Sequence, residues 1–252
     1  MQRHEFCRSL ALRQPSARNK GGKASSVLVT FEGLEGAGKS ALMREVAIGL
    51  RSTLGEHVWH LADISQAPTG RRLREVFRAD ELLGEGNVAS TAMSRCLAAA
   101  ADLFYFDGAL IAPMVAAGGV VLKERHVDTL ISHQGPFLTR RYGWSEERVH
   151  EWLSSVVEPL QVRPTLTIMV EAPLSHRERR LRERSKNAGA ELGRTAEEFH
   201  RTVFGIRAEW YERLRQKGGD RWLSIANPDG EFARAVARAT AGILDRHARC
   251  CG

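Results

Sequence analysis

The chain has 252 residues, 43% of them hydrophobic, and a formal net charge of +7. That is apolar material for one large core, with no run near the ~18 uninterrupted apolar residues of a membrane span, so the chain reads as soluble and cytoplasmic with no membrane partner. The charge argues against a nucleic-acid partner, because residues 1–25 hold Arg3, Arg8, Arg13, Arg18, Lys20 and Lys23 against Glu5, a net +5 of the total that leaves the rest nearly balanced.

Residues 1–25 read as a flexible basic extension, and residues 26–252 as one domain. An Arg-rich, acid-poor start is also the composition of a transit segment. Cys7, Cys96, Cys250 and Cys251 show neither metal-ligand spacing nor paired motifs, which fits a reducing compartment.

Val27-Leu28-Val29-Thr30-Phe31 is a short apolar run of strand character. It leads into Gly33-Leu34-Glu35-Gly36-Ala37-Gly38-Lys39-Ser40, a complete G-x-x-x-x-G-K-[ST] loop. Glycines let backbone N–H groups turn inward around phosphate oxygens, a lysine reaches the β and γ phosphates, and the hydroxyl ligates Mg²⁺. After the lysine, Ala41, Leu42, Val46, Ala47 and Leu50 recur at helical spacing, so a helix N-terminus points at the anion. The candidate nucleotide-binding set is Gly33, Glu35, Gly36, Ala37, Gly38, Lys39, Ser40 and Ala41.

Further along, strand patterns at 27–32, 57–61, 119–123, 165–170 and 222–226 alternate with helical patterns near 40–54, 90–117, 145–160, 173–186, 195–216 and 230–247. This alternation predicts an α/β fold: a three-layer, doubly wound, parallel five-stranded sheet of the P-loop NTPase type. Ligands in such sheets sit at the carboxyl ends of the strands. Glu124-Arg125-His126 follows the third strand there, offering a carboxylate for Mg²⁺ and a guanidinium for a second phosphate. Trp144 and Trp152, at helical spacing, read as packing residues.

The basic run Arg177-Glu178-Arg179-Arg180-Leu181-Arg182-Glu183-Arg184-Ser185-Lys186 has two readings. Its mixed charges suit a solvated helix face. They also suit a lid over about 177–195 whose arginines, Arg182 and Arg184 being the candidates, neutralise charge during phosphoryl transfer.

Taken together these residues resemble the thymidylate kinases, a family of P-loop nucleoside monophosphate kinases. The resemblance rests on Phe31 through Ser40, on Glu124-Arg125-His126, similar to the family's Asp-Arg-Tyr/His motif, on His133-Gln134-Gly135, on the lid arginines and on Ile225-Ala226-Asn227. It runs from about residue 26 to the end. It implies ATP-dependent phosphorylation of dTMP to dTDP with Mg²⁺, often by a homodimer. By position, Lys39 and Ser40 would serve ATP and magnesium, Glu124 the metal or the acceptor region, and Arg125 the acceptor phosphate. Because Ala37 stands where some members have an arginine, the catalytic cation would come from the lid. Glu35 would approach the acceptor sugar or the metal, with Leu103 and His133 beside the acceptor. No general base is implied, since a nucleotide phosphate arrives ionised.

The departures cluster on the acceptor side. Ala62 to Gly70 replaces the family's Thr-Arg-Glu-Pro-Gly-Gly-Thr, and Ala99-Ala100-Ala101-Asp102-Leu103 replaces Phe-x-x-Asp-Arg, the pattern that stacks on thymine and hydrogen-bonds it. Leu130 and His133 replace a polar residue and a tyrosine. Arg71, Arg72 and Arg74 would restore phosphate contacts or lie on the surface. The leading expectation is a thymidylate-kinase-like enzyme; the alternatives are a same-fold kinase with another phosphorylated acceptor and a nucleotide-binding protein without catalysis.

Overall fold

In the computed structural model the described residues are 26–83, 92–187 and 194–251. The basic extension and part of the expected lid lie outside them.

Five strands, β1 (Val27–Glu32), β2 (Val58–Leu61), β3 (Val120–Glu124), β4 (Leu166–Glu171) and β5 (Trp222–Ala226), form one sheet in the order β2-β3-β1-β4-β5. Every pairing is parallel. Parallel strands need crossovers and lie covered on both faces, so they read as near-continuous apolar runs. β1 shows this, for all six of its residues are buried.

Its alternation nevertheless sorts two layers. Val27, Val29 and Phe31 join a core made with α1 (Lys39–Leu54) and α9 (Phe232–Cys251). Leu28 packs with Val121, Phe106 and Ile111 in the opposite layer. Thr30 donates to Thr167, and Glu32 receives Tyr211. The second layer comprises α3 (Ala92–Phe106), α5 (Val127–Tyr142), α6 (Glu146–Val157) and α8 (Arg194–Gly218).

Two helices were not among the expected patterns: α2 (Pro68–Leu83) and α5. α2 is charge-rich, and α5 carries Gly135 and Pro136 within it, the residues that ordinarily break helical periodicity. Gly135 belongs there because a Cβ would meet the Trp210 ring at 2.3 Å. The expected helix 90–117 is split by a π-helical turn, Asp107–Ile111, before α4 (Ala112–Ala116). The buried Asp107 carboxylate receives the Gln161 and Val162 amides there.

Among the described residues one stretch, Ala92–Ala116, is long and apolar enough to cross a membrane, with a hydropathy of 1.4. Arg95, Asp102 and Asp107 within it are buried, the Asp102 carboxylate against Ser65. Trp144 and Trp152 pack edge to face at 5.7 Å. α7 (Leu174–Asn187) carries the basic run past the end of β4.

Candidate active site

β1 ends and α1 begins around a loop that only glycine can close at two points. Gly33 has φ +129, and a Cβ there would meet the Val170 carbonyl oxygen at 2.4 Å. Gly38 caps α1 with φ +91, and a Cβ there would meet Asn227 Nδ2 at 2.5 Å. No side chain caps α1, and its first turn holds no acidic residue, so its leading N–H groups are left for an anion. Lys39, 5% exposed, donates to the Leu34 carbonyl at 3.0 Å. Burial and then the Arg125 charge lower its ammonium to about 8, against the opposing pull of Glu35, Glu124 and Asp63.

The Ser40 hydroxyl donates to Glu124 Oε1 at 2.8 Å. Among the described residues no group of three or more His, Cys, Asp or Glu is placed to hold a metal. Magnesium does not require one, since it is ordinarily held by one or two carboxylates together with substrate phosphates. A hydroxyl and a carboxylate as hard oxygen donors beside a phosphate loop fit that ion.

Arg125 follows β3 in a left-handed backbone conformation, φ 58, its amide bonded to the Phe31 carbonyl. This turn throws the guanidinium back over the phosphate loop. It meets Glu35 at 3.2 Å, Asp63 at 3.3 Å and His133 Nε2 at 2.9 Å. Arginine only donates, so His133 Nε2 accepts. Burial together with Arg207 and Arg125 holds the imidazole well below its ordinary value, hence neutral.

Glu35 receives a second guanidinium, Arg207 of α8, at 3.0 Å. Burial alone would raise Glu35, but the charges of Arg125 and Arg207, and then of Lys39, bring it well below the ordinary carboxylate value. Glu35 Oε2 and Arg207 Nε are buried and unpartnered. Beneath them Glu32 accepts from the His126 amide at 2.7 Å and Tyr211 at 3.0 Å, and from the Thr129 hydroxyl. Burial and then Asp128 raise it to about 7. Buried Lys123 ties the two strand ends together by donating to the carbonyls of Ala62, Asp63, Glu124 and Arg125.

Glu35, Lys39, Ser40, Asp63, Glu124, Arg125, His133 and Arg207 line one cavity of about 590 Å³, within the range of small-molecule sites, with Glu32, Tyr211 and Lys123 behind its wall. Of the expected residues, Glu35, Gly36, Gly38, Lys39, Ser40, Ala41, Leu103, Glu124, Arg125, His133 and Arg184 line it. Gly33 and Ala37 shape the loop from behind, the Ala37 carbonyl accepting from Asn227 at 2.8 Å.

Arg182 is not brought to the cavity: it is exposed and faces Glu178 at 3.5 Å. Arg180 takes a place instead, donating to the carbonyls of Gly36 at 3.2 Å and Asn227 at 3.0 Å. Residues 188–193 of the expected lid are outside the described residues. Arg71 and Arg74 donate to the loop carbonyls of Gln66 and Ile64, and Arg72 pairs with Glu75 at the surface.

Sequence reasoning missed Arg207, Arg95 and Lys123, and it quoted Arg180 in the basic run and Gln134 in the resemblance without giving either a place in the site. Arg180 stands one helical turn before Arg184 and was legible from that spacing. Arg207 is one arginine on a long, highly charged helix, and nothing in its neighbourhood marks it.

No family model matches the chain. It is similar to the thymidylate kinase of Thermomicrobium roseum, 32% identical over 229 residues, covering 89% of this chain and 99% of that protein. The thymidylate kinase of Pseudomonas entomophila is 30% identical over 224 residues, with 88% and 98% covered. Among solved structures, the Candida albicans thymidylate kinase aligns with a TM-score of 0.65 at 16% identity, covering 89% of this chain and 95% of that one. The Ehrlichia chaffeensis thymidylate kinase gives 0.59 at 16% identity, with 87% and 99% covered. At that identity the two structures speak for the fold.

Proposed function

The chain belongs to the thymidylate kinase family as an ATP-dependent nucleoside monophosphate kinase, and we propose that it transfers the γ-phosphoryl group of ATP to dTMP, giving dTDP, with Mg²⁺ as the metal. The observation that carries this reading is the meeting of Lys39, the Ser40–Glu124 pair and Arg125 in one cavity.

Each residue has a task that follows from its chemistry. Lys39 and the amides at the start of α1 hold the triphosphate tail. Ser40 and Glu124 would hold Mg²⁺, which would offset the charge on the phosphates. Arg125, braced by Glu35 and Asp63, presents its planar fork to the acceptor phosphate. Arg207, sharing Glu35 with Arg125, adds a second positive charge there. Arg184 supplies a cation from α7 over the triphosphate, where transfer needs electrostatic stabilisation more than covalent help. No side chain has to remove a proton, and neutral His133 serves to orient Arg125.

The test is a steady-state assay of ATP turnover against a panel of nucleoside monophosphates, with Lys39→Ala as control. Turnover on dTMP that the control loses supports the reading; a folded wild-type protein inert on every acceptor contradicts it. One observation favours a second reading, a same-fold kinase with another acceptor. Ala99 and Leu103, both lining the cavity, present neither a ring nor a guanidinium to a base. Greater kcat/KM on another monophosphate than on dTMP would select it.

A further inference from the structure

A second cavity, of about 390 Å³, lies on the other side of α5 from the catalytic one. Residues three or four apart share a helix face, and this divides α5 in two. Thr129, Leu130, His133 and Gln134 line the catalytic cavity, whereas Val127, Asp128 and Ile131 line this one. α6, the end of α8 and the segments leading into β4 and β5 complete the wall. None of its lining residues lines the catalytic cavity.

Its charge is one-sided. Arg163, Lys217 and Arg221 line it against a single carboxylate, Asp128. That carboxylate is already used: Asp128, buried, accepts from both terminal nitrogens of Arg221, at 2.7 and 2.8 Å, and Arg221 also donates to Thr167. Two positive charges are left over. The Arg163 guanidinium is steadied by a 2.8 Å bond to the Glu158 carbonyl, which leaves most of its donors for another partner. Among the described residues neither Arg163 nor Lys217 has a carboxylate partner. Like charges converging on one concavity repel each other, and an anion between them turns that repulsion into attraction.

His150 and Ser154, one helical turn apart on α6, add a ring nitrogen and a hydroxyl to the same wall. His150 faces Lys217 of α8 and Asp128 of α5, with Glu151 beside it on its own helix, and Arg163 and Arg221 share its cavity. Burial and then Lys217 hold its imidazole below the ordinary value, so at neutral pH it offers one N–H to an acceptor. The floor is apolar, made of Val127, Ile131, Val157 and Leu214, all buried. Two surplus charges match the near −2 of a phosphate monoester at pH 7. An arginine fork and a lysine point charge are the usual partners of phosphate oxygens, and the floor has room for an organic group carried by it.

We propose that this cavity is a second anion site, separate from the catalytic one, which binds a phosphate group, free or carried on a small organic molecule, through Arg163, Lys217, His150 and Ser154. The site does not depend on the identity of the acceptor, since it shares no residue with the catalytic cavity.

The experiment follows the His150 ring proton resonance, identified by its loss in His150→Asn, while inorganic phosphate, pyrophosphate or phenyl phosphate is added at constant ionic strength. The expected result is a saturable shift with a rise in the imidazole pKa, because a bound dianion favours the charged ring. Arg163→Gln and Lys217→Gln, both at exposed positions, should each weaken binding about tenfold or more with unchanged thermal midpoints. Lys39→Ala, in the phosphate loop, should bind as wild type does. Phenyl phosphate binding more tightly than inorganic phosphate assigns the site to an organic phosphate, and binding of phosphate and pyrophosphate alone assigns it to the free anion. The absence of a saturable shift overturns the proposal. So does a shift that chloride reproduces, one that persists undiminished in both rim variants, or one that Lys39→Ala abolishes.

Discussion

Ser40 and Glu124, 84 positions apart in sequence, are joined by a hydroxyl-to-carboxylate hydrogen bond of 2.8 Å. The sheet fixes this meeting, because β1 and β3 pair in parallel with Phe31 opposite Glu124, and both chains turn out of the sheet at the same level. Glu124→Gln keeps the shape and removes the charge. We predict that the half-saturating Mg²⁺ concentration rises about tenfold or more, with little change in thermal midpoint. An unaltered magnesium titration takes Glu124 out of the metal site.

Arg125 holds a left-handed backbone, which in a non-glycine residue costs roughly 1–2 kcal/mol. Two substitutions that both remove the guanidinium separate this cost from the side chain's own work. Arg125→Gly should be more stable than Arg125→Ala by about 1 kcal/mol in urea unfolding, because only the backbone differs. Equal midpoints and slopes would mean the turn relaxes freely. For function, Arg125→Lys should raise the acceptor KM on the order of 100-fold while leaving the ATP KM nearly unchanged, since an ammonium cannot replace the bidentate fork.

Lys39 near pH 8 makes triphosphate binding proton-linked. Its folded value lies below the ordinary 10.5, and a bound polyphosphate pushes it up again. At pH 7 the ammonium is charged before and after binding. Between pH 8 and 10.5 the free protein loses that proton and binding restores it. Calorimetry in two buffers of different ionisation heat should show uptake of a large part of one proton at pH 9, about none at pH 7, and none at either pH in Lys39→Ala. Uptake that persists in the variant assigns the linkage to another group.

Glu32, raised from 4.5 to about 7, favours the protonated form in the fold. A raised folded value contributes stability that is complete below pH 4.5 and is lost as pH climbs through 7. Glu32→Gln is neutral throughout, so its stability relative to wild type should improve by roughly 2–3 kcal/mol from pH 4.5 to 8. A pH-independent difference between the two proteins would show that Glu32 is ionised across the range.

The sheet was legible in the sequence because each parallel strand is a short apolar run bounded by glycine or charge, and the phosphate loop because its glycines serve close backbone approach. Helix α5 was not, since Gly135 and Pro136 interrupt its pattern for a reason that lies in Trp210, 75 positions away. Arg125, Glu124 and Ser40 were readable as strand-end and loop chemistry. Arg207 and Arg95 were not, because only packing turns one arginine among many on a helix towards a cavity. The missing ring and guanidinium at Ala99 and Leu103 were visible; Phe137 and Arg95, stacked at 3.9 Å, needed the fold to bring α3 and α5 together.

The measurement that bears most directly on the account is the initial rate of dTDP formation from dTMP and ATP with Mg²⁺, followed by separation of the nucleotides, for wild type, Lys39→Ala and Arg125→Lys. The account predicts stoichiometric dTDP and ADP from wild type, a loss of about 100-fold or more in Lys39→Ala, and a defect confined to the acceptor KM in Arg125→Lys. ADP released without dTDP, or dTDP formed equally well by the Lys39 variant, would contradict it.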